Sequence, residues 1–384
     1  MRSLSGRFHA FVSRFQVAFL SDRVYTNKQK VVNQLRPVAT YEEIEQQRGD
    51  KSILYVDVRS PSEFAKSTIP GAVNVPVLDD EDRKTVGTLY VAGKIDEAKS
   101  HGIQVISPKL PEMFSLFQEY TKAYDQVVIF CSRGGFRSNS IFSLLKSLGM
   151  NVYRMEGGYK NYRSTINKLI PVMFEKVQFV TLYGNTGTGK TAILDELKKR
   201  GANVLDLEAC ANNRGSVFGG VGLKKKQPHN QKMFESLLAE SAAGWKEPLV
   251  VFTEGESKRI GQAVLPPSLI DAMQRGLNLN IEASLDYRIG QIKKDYLHSN
   301  EAELLAALDR LKSYLNEARV DGYKEQVRQH EFDAVIADLL VKYYDPRYNF
   351  NKKEFVAIFR NEDAAATAEA ILEWMKQRNG SERK

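Results

Sequence analysis

Apolar strand-like runs alternate with amphipathic helical patterns twice along the chain, once over residues 41–165 and again from about residue 174. In the first stretch "SILYVDVRS" (52–60) is a β-rich apolar run ending in charged residues, the pattern of a buried strand with polar groups at its C-terminal end. Ser60–Pro61–Ser62–Glu63 then predicts a helix start, Pro70–Gly71 a turn, and residues 111–124 a further helix. "QVVIF" (126–130) predicts a second buried strand, and "SNSIFSLLKSLG" (138–149) a helix closed by Gly149. "NVYRMEGGYKNYR" (151–163) supplies another short strand and a Gly-Gly turn. Strands alternating with helices in this way predict an α/β domain with a mostly parallel sheet.

The second stretch repeats the theme. "FVTLYG" (179–184) reads as a strand, "NTGTGK" (185–190) as a loop and "TAILDELKKRG" (191–201) as a helix with a glycine stop. "ANVLDLE" (202–208) and "EPLVVFTEGE" (247–256) read as strands ending in carboxylates, and from about residue 268 the pattern is helical and highly charged. The predicted division is a basic N-terminal extension (1–40), a first α/β domain (41–168) and a second (174–384) whose part from about 268 to 384 is helical.

Composition narrows the function classes. No run of about 18 apolar residues occurs, so no membrane-spanning helix is predicted. Two cysteines, Cys131 and Cys210, make no disulfide framework and point to a reducing compartment, the cytoplasm. The five histidines lack metal-type spacing, so no zinc site is expected. Net charge is +8, but residues 1–40 alone hold seven Lys/Arg against Asp22. Global charge is therefore weak evidence for nucleic acid, and any RNA footprint must be local. The extension's arginines, serines and lack of acids also suit an organelle-targeting segment, although a solvated tail explains them as well.

Two loops carry the chemistry. "FCSRGGFRS" (130–138) places Cys131 between a strand and a helix N-terminus, where backbone N–H groups and the helix dipole favour a thiolate. Gly134 and Gly135 allow a tight curl, while Arg133 and Arg137 are suited to holding an oxyanion as it reacts. A buried structural cysteine is the bland alternative for the sulfur alone. The loop implies a thiolate attacking sulfur, selenium or phosphorus in an anion. The spacing from Cys131 to Arg137 is C-x5-R, the signature of cysteine phosphatases, although Phe130 stands where those enzymes usually carry histidine.

"GNTGTGKT" (184–191) fits the phosphate loop G-x-x-x-x-G-K-[ST] without exception. Gly184, Gly187 and Gly189 let backbone wrap phosphate oxygens, Lys190 neutralises them, and Thr191 is placed for Mg²⁺. Glu254, at a strand end, is the candidate second metal-holding group, with Asp206 and Glu208 as ambiguous companions. Each also reads as a solvated strand-end carboxylate.

The residues "DVRSPSEFAKSTIPGAVNVP", "CSRGGFRS" and "GGYKNYR" resemble the rhodanese family, with Asp57, Arg59 and Glu63 in its entry motif. "EDRKTVGTLYVAGK", "DLEACANNRGSVFGGVG", "FTEGESKRIGQAVLP" and "YYDPRYNF", taken with both loops, resemble the tRNA 2-selenouridine synthase family, a rhodanese domain joined to a P-loop domain. The resemblance covers about residues 41–350. It implies replacement of sulfur by selenium in the wobble 2-thiouridine of tRNAs for Lys, Glu and Gln, with selenophosphate as donor from a supplying enzyme. It also implies S-geranylation from geranyl diphosphate as an intermediate step. On this resemblance Cys131 is the catalytic cysteine, carrying selenium as a selenosulfide-type adduct, and Arg133 and Arg137 hold the donor's phosphate. The P-loop then takes a prenyl diphosphate or a nucleotide such as ATP or GTP. Arg214 and Arg259 become candidates for phosphate or tRNA backbone contact, and Lys224, Lys225 and Lys226 for tRNA phosphates. Ser132 and Phe136 stand where the family usually has tryptophan and methionine, which bears on loop shape rather than on chemistry. The reading from the other side, with no tRNA, is a nucleotide-regulated sulfurtransferase or a C-x5-R phosphatase.

Overall fold

The structure is a computed structural model that describes residues 36–213, 228–296, 301–348 and 353–381. The N-terminal extension, Arg214 and Lys224 to Lys226 lie outside the described residues. The chain divides into two compact units between Met173 and Phe174, and Glu235–Gly244 group with the first.

The first unit is built on five parallel strands: β1 (Val38–Ala39), β2 (Ile53–Asp57), β3 (Val73–Asn74), β4 (Gln126–Phe130) and β5 (Val152–Met155), in spatial order β1-β5-β4-β2-β3. Every residue of β4 is buried, which is why Val127–Phe130 is a continuous apolar run and not an alternation. Val56, Val127, Ile129 and Val152 pack with Phe117, Ile141 and Leu145 in one core. The register pairs Asp57 with Phe130, so β2 and β4 end level and Cys131 emerges at the sheet's C-terminal edge.

Helix Pro61–Lys66 starts at Ser60 with a capping box closed by Glu63, as its sequence predicts. Asp57 and Arg59 form a buried pair, with Arg59 Nη2 donating to Asp57 Oδ2 at 2.6 Å and to the Ser67 carbonyl at 2.7 Å. Thr68 donates to the same carboxylate, and the Tyr159 ring lies 4.2 Å from the guanidinium. Asp57 and Arg59 therefore hold the strand end in place. Between β3 and helix Leu110–Ala123 stand two helices, Asp80–Val91 and Ile95–Ile106, that strand-and-turn patterning does not separate.

The second unit also has five parallel strands: β6 (Gln178–Tyr183), β7 (Asn203–Leu205), β8 (Val250–Glu254), then β11 (Leu277–Glu282) and β12 (Ala357–Arg360). A two-stranded hairpin, β9 (Arg259–Ile260) and β10 (Ala263–Val264), lies outside this sheet. The spatial order β12-β11-β6-β8-β7 puts β6 in the centre. The chain winds from β6 to one side and then to the other, so the strand order reverses at the C-terminal end of β6, where such sheets bind ligands. One expectation needs correcting: the part beyond residue 268 is not wholly helical, because β11 and β12 extend the sheet. "LNLNIE" alternates apolar residues with asparagine, and its pairing with β6 and β12 supplies the hydrogen bonds that a local pattern does not reveal.

Candidate active site

The Cys131 loop leaves β4 and enters helix Phe136–Ser147. Cys131 is buried, and Ser138 Oγ donates a hydrogen bond to its Sγ at 3.2 Å. The N–H groups of Ser132, Arg133, Gly134 and Gly135 donate to no group among the described residues. The loop's carbonyls are engaged instead: Tyr159 N donates to Cys131 O at 2.8 Å and Lys160 N to Ser132 O at 3.0 Å, while Arg154 donates to Gly134 O. The Gly-Gly turn thus ties down the outward side of the loop and leaves its donors for an anion.

Gly158 is the hinge of that clamp. Its φ is +55°, and a Cβ there would stand 2.2 Å from Cys131 O and 2.6 Å from Gly134 N. Of the two arginines, Arg133 is exposed with no ion pair among the described residues. Arg137 donates to Glu63 Oε2 at 2.6 Å. Burial works to raise the Glu63 carboxyl, but the hydrogen bond and charge of Arg137 outweigh it and hold the group below its ordinary value.

The second loop curls from β6 into helix Lys190–Lys199. Gly184 presses against β11, where a Cβ would stand 2.3 Å from Ile281 O. Lys190 Nζ donates to Gly184 O at 2.8 Å and Asn185 O at 3.2 Å, bridging the loop on itself. Burial lowers its pKa, and Glu256, Glu208 and Glu254 pull the other way. Glu254, at the end of β8, is buried, accepts from Glu208 N at 2.8 Å through Oε1, and leaves Oε2 without a partner among the described residues. Thr191 is exposed in the first turn of the helix. A hydroxyl and an unsatisfied buried carboxylate oxygen are hard oxygen donors, so Thr191 and Glu254 fit a divalent cation such as Mg²⁺.

Both loops lie in segments that match known proteins. Residues 40–165 match the rhodanese-like domain, and residues 177–313 match the tRNA 2-selenouridine synthase AAA domain. A protein of Hydrogenovibrio crunogenus named tRNA 2-selenouridine synthase is 33% identical over 336 residues, covering 79% of this chain and 90% of its own. Proteins of the same name from Pseudomonas fluorescens and Cupriavidus necator are 31% and 32% identical, covering 85% and 82% of this chain and 95% and 93% of theirs. The chain belongs to the tRNA 2-selenouridine synthase family.

In this synthase-family chain the first unit carries Cys131 and Arg133 in the loop and Arg137 in the first turn of the helix it enters, and the second brings Gly184, Gly187, Gly189, Lys190 and Glu254 around the P-loop. Arg259 sits exposed on β9, and no hydrogen bond among the described residues ties its side chain to the P-loop. Lys353, one of the basic residues near the C-terminal helices, donates to Tyr183 OH at 2.8 Å.

Several functional neighbours escape sequence reasoning. Arg288 donates from Nε to Thr186 O at 2.8 Å and forms a two-pronged pair with Asp345 at 2.6 and 3.0 Å. Tyr348 OH bonds Thr186 Oγ1 at 2.8 Å, so Asp345, through Arg288, and Tyr348 brace the crest of the P-loop. Glu256, beside Lys190, has its pKa raised by burial.

The buried carboxylates predict a pH dependence. Burial first, then Asp206 and Glu208, pushes Glu254 well above the ordinary carboxylate range. A folded acid that holds its proton more tightly than the unfolded one contributes stability at low pH, lost as pH rises from the unfolded value through the raised one. Glu254→Gln is therefore expected to flatten the fall in unfolding free energy as pH rises above the ordinary carboxylate range. Each tenfold excess in proton affinity that the folded carboxyl loses is worth about 1.4 kcal/mol. Urea unfolding across that rise in pH reads the effect, and equal slopes in variant and wild type would count against it.

Proposed function

We propose that this protein replaces the sulfur of wobble 2-thiouridine in tRNA by selenium from selenophosphate, through an S-geranylated intermediate. The observation carrying the proposal is the Cys131 loop, a nucleophilic sulfur beside four undonated N–H groups and an unengaged arginine, in a chain of this family. Such a loop suits a small phosphorus oxyanion.

The second unit prepares the nucleoside. Sulfur on C2 is a poor leaving group; once alkylated it departs readily as a geranyl thiolate. The thiouridine sulfur attacks C1 of geranyl diphosphate, the C1–O bond breaks, and pyrophosphate leaves with the electron pair. Asn185, Thr186, Gly187 and Gly189 offer backbone N–H groups to that pyrophosphate, and Lys190 neutralises it once released from its own loop carbonyls. Mg²⁺ held by Thr191 and Glu254 would supply further charge neutralisation at the phosphates. This reading needs no nucleotide hydrolysis, and ATP or GTP remains a competitor for the same loop. The tRNAs for Lys, Glu and Gln, acting in the cytoplasm with an enzyme that supplies selenophosphate, complete the proposal.

Lys190→Ala is expected to slow geranylation about 100- to 1000-fold, the usual effect of removing one charge-stabilising group. It should leave selenation of pre-geranylated tRNA unchanged. Liquid chromatography and mass spectrometry of digested tRNA reads both; loss of the second activity as well would contradict the division of labour.

A further inference from the structure

We propose that Cys131 attacks the phosphorus of selenophosphate and not its selenium, so that the loop works through a phosphocysteine and delivers selenium as free selenide. This deepens the selenophosphate reading above and rests on it.

Electron balance favours phosphorus. Selenium in selenophosphate is already at the oxidation level of selenide, bound to pentavalent phosphorus. A thiolate that took this selenium into an S–Se bond would have to expel phosphorus as a reduced, phosphite-level anion, or else consume an oxidant. Neither is supplied by this reaction, so the selenosulfide adduct implied by the family resemblance does not balance. Attack at phosphorus does. The S–P bond forms, the P–Se bond breaks, and its electron pair leaves with selenium as hydroselenide. Water then attacks the phosphorus, the S–P bond breaks with its pair returning to Cys131 sulfur, and phosphate departs. Hydroselenide adds to C2 of the alkylated uridine, gives up its proton to the ring and displaces the geranyl thiolate. No step changes the oxidation state of sulfur, selenium or phosphorus.

The loop's geometry favours it too. Five residues separate Cys131 from Arg137, enough to ring a tetrahedral phosphoryl group. The N–H groups of Ser132 to Gly135 and the side chain of Arg133 are uncommitted donors for its oxygens. Ser138, directly after Arg137, donates to Cys131 Sγ at 3.2 Å. A hydrogen bond to sulfur favours the thiolate over any covalently loaded form. It therefore helps sulfur leave phosphorus, which a phosphocysteine requires in its second step.

The test mixes full-length protein with selenophosphate, stops the reaction in alkaline denaturant and weighs the protein and its Cys131 peptide. Ser138→Ala is run beside wild type, and selenouridine formation on geranylated tRNA is read in parallel. Expected is a phosphoryl-mass adduct on Cys131 without the isotope pattern of selenium. Breakdown of this adduct should be slowed about tenfold or more in Ser138→Ala, the worth of one hydrogen bond to a charged group. Overturning the inference are a selenium-bearing Cys131 or selenouridine formed with no phosphoryl adduct in Ser138→Ala. A phosphoryl adduct formed without any selenouridine would uphold it and sink the tRNA reading instead.

Discussion

Cys131→Ser is expected to lower selenouridine formation by at least about 10⁴-fold, the scale of losing a covalent nucleophile. The cause is local. A serine hydroxyl at this position is a far weaker nucleophile than the cysteine sulfur that Ser138 Oγ contacts at 3.2 Å. Serine is smaller than cysteine and sits at the end of a fully buried strand, so thermal stability should change little. Geranylation should persist in this variant, because the proposal assigns it to the other unit. The checks are a melting curve and nucleoside mass spectrometry on the same preparation. Selenouridine formed at wild-type rate by the serine variant would remove Cys131 from the chemistry.

Gly158→Ala is the second large effect, and it acts without touching any reacting atom. Its methyl group would stand 2.2 Å from the backbone carbonyl oxygen of Cys131, at φ +55°. Neither partner is a flexible side chain, so the turn or the cysteine loop must move. Stability is expected to fall by about 2–4 kcal/mol, as for other substitutions that combine backbone strain with overpacking. Activity should fall about 100-fold even below the melting transition, since a displacement near 1 Å at a reacting group costs that much. Urea unfolding and initial rates measured well below the midpoint separate the two. Loss of stability with full activity would show that the loop tolerates movement.

Local chemistry makes much of this protein legible in its sequence. β4 and β6 read correctly because Val127–Phe130 and Phe179–Tyr183 are buried on both faces, so apolar residues follow one another with only Thr181 between them. The two reactive loops are contiguous in sequence, so their glycines, cations and nucleophile declare themselves without tertiary information. What stays hidden is non-local. Arg288 and Asp345 are 57 positions apart, and nothing in either neighbourhood announces that they meet at the P-loop. Asn361 likewise reaches Thr188 O from 173 residues away, and Thr367 holds its other end. β11 is obscured by Asn278 and Asn280, which break its apolar run although the strand is paired on both sides. The Ser138 contact is hidden for the opposite reason: seven residues from Cys131, it is brought back to the sulfur only by the curl of the loop.

The most direct test of the central claim incubates purified protein with tRNA bearing 2-thiouridine, selenophosphate and geranyl diphosphate, and reads the digested nucleosides by mass spectrometry. Expected are 2-selenouridine with wild type, and geranylated thiouridine accumulating in its place with Cys131→Ser. Thiouridine returned unchanged by wild-type protein, under conditions where a relative from the same family is active, would contradict the claim.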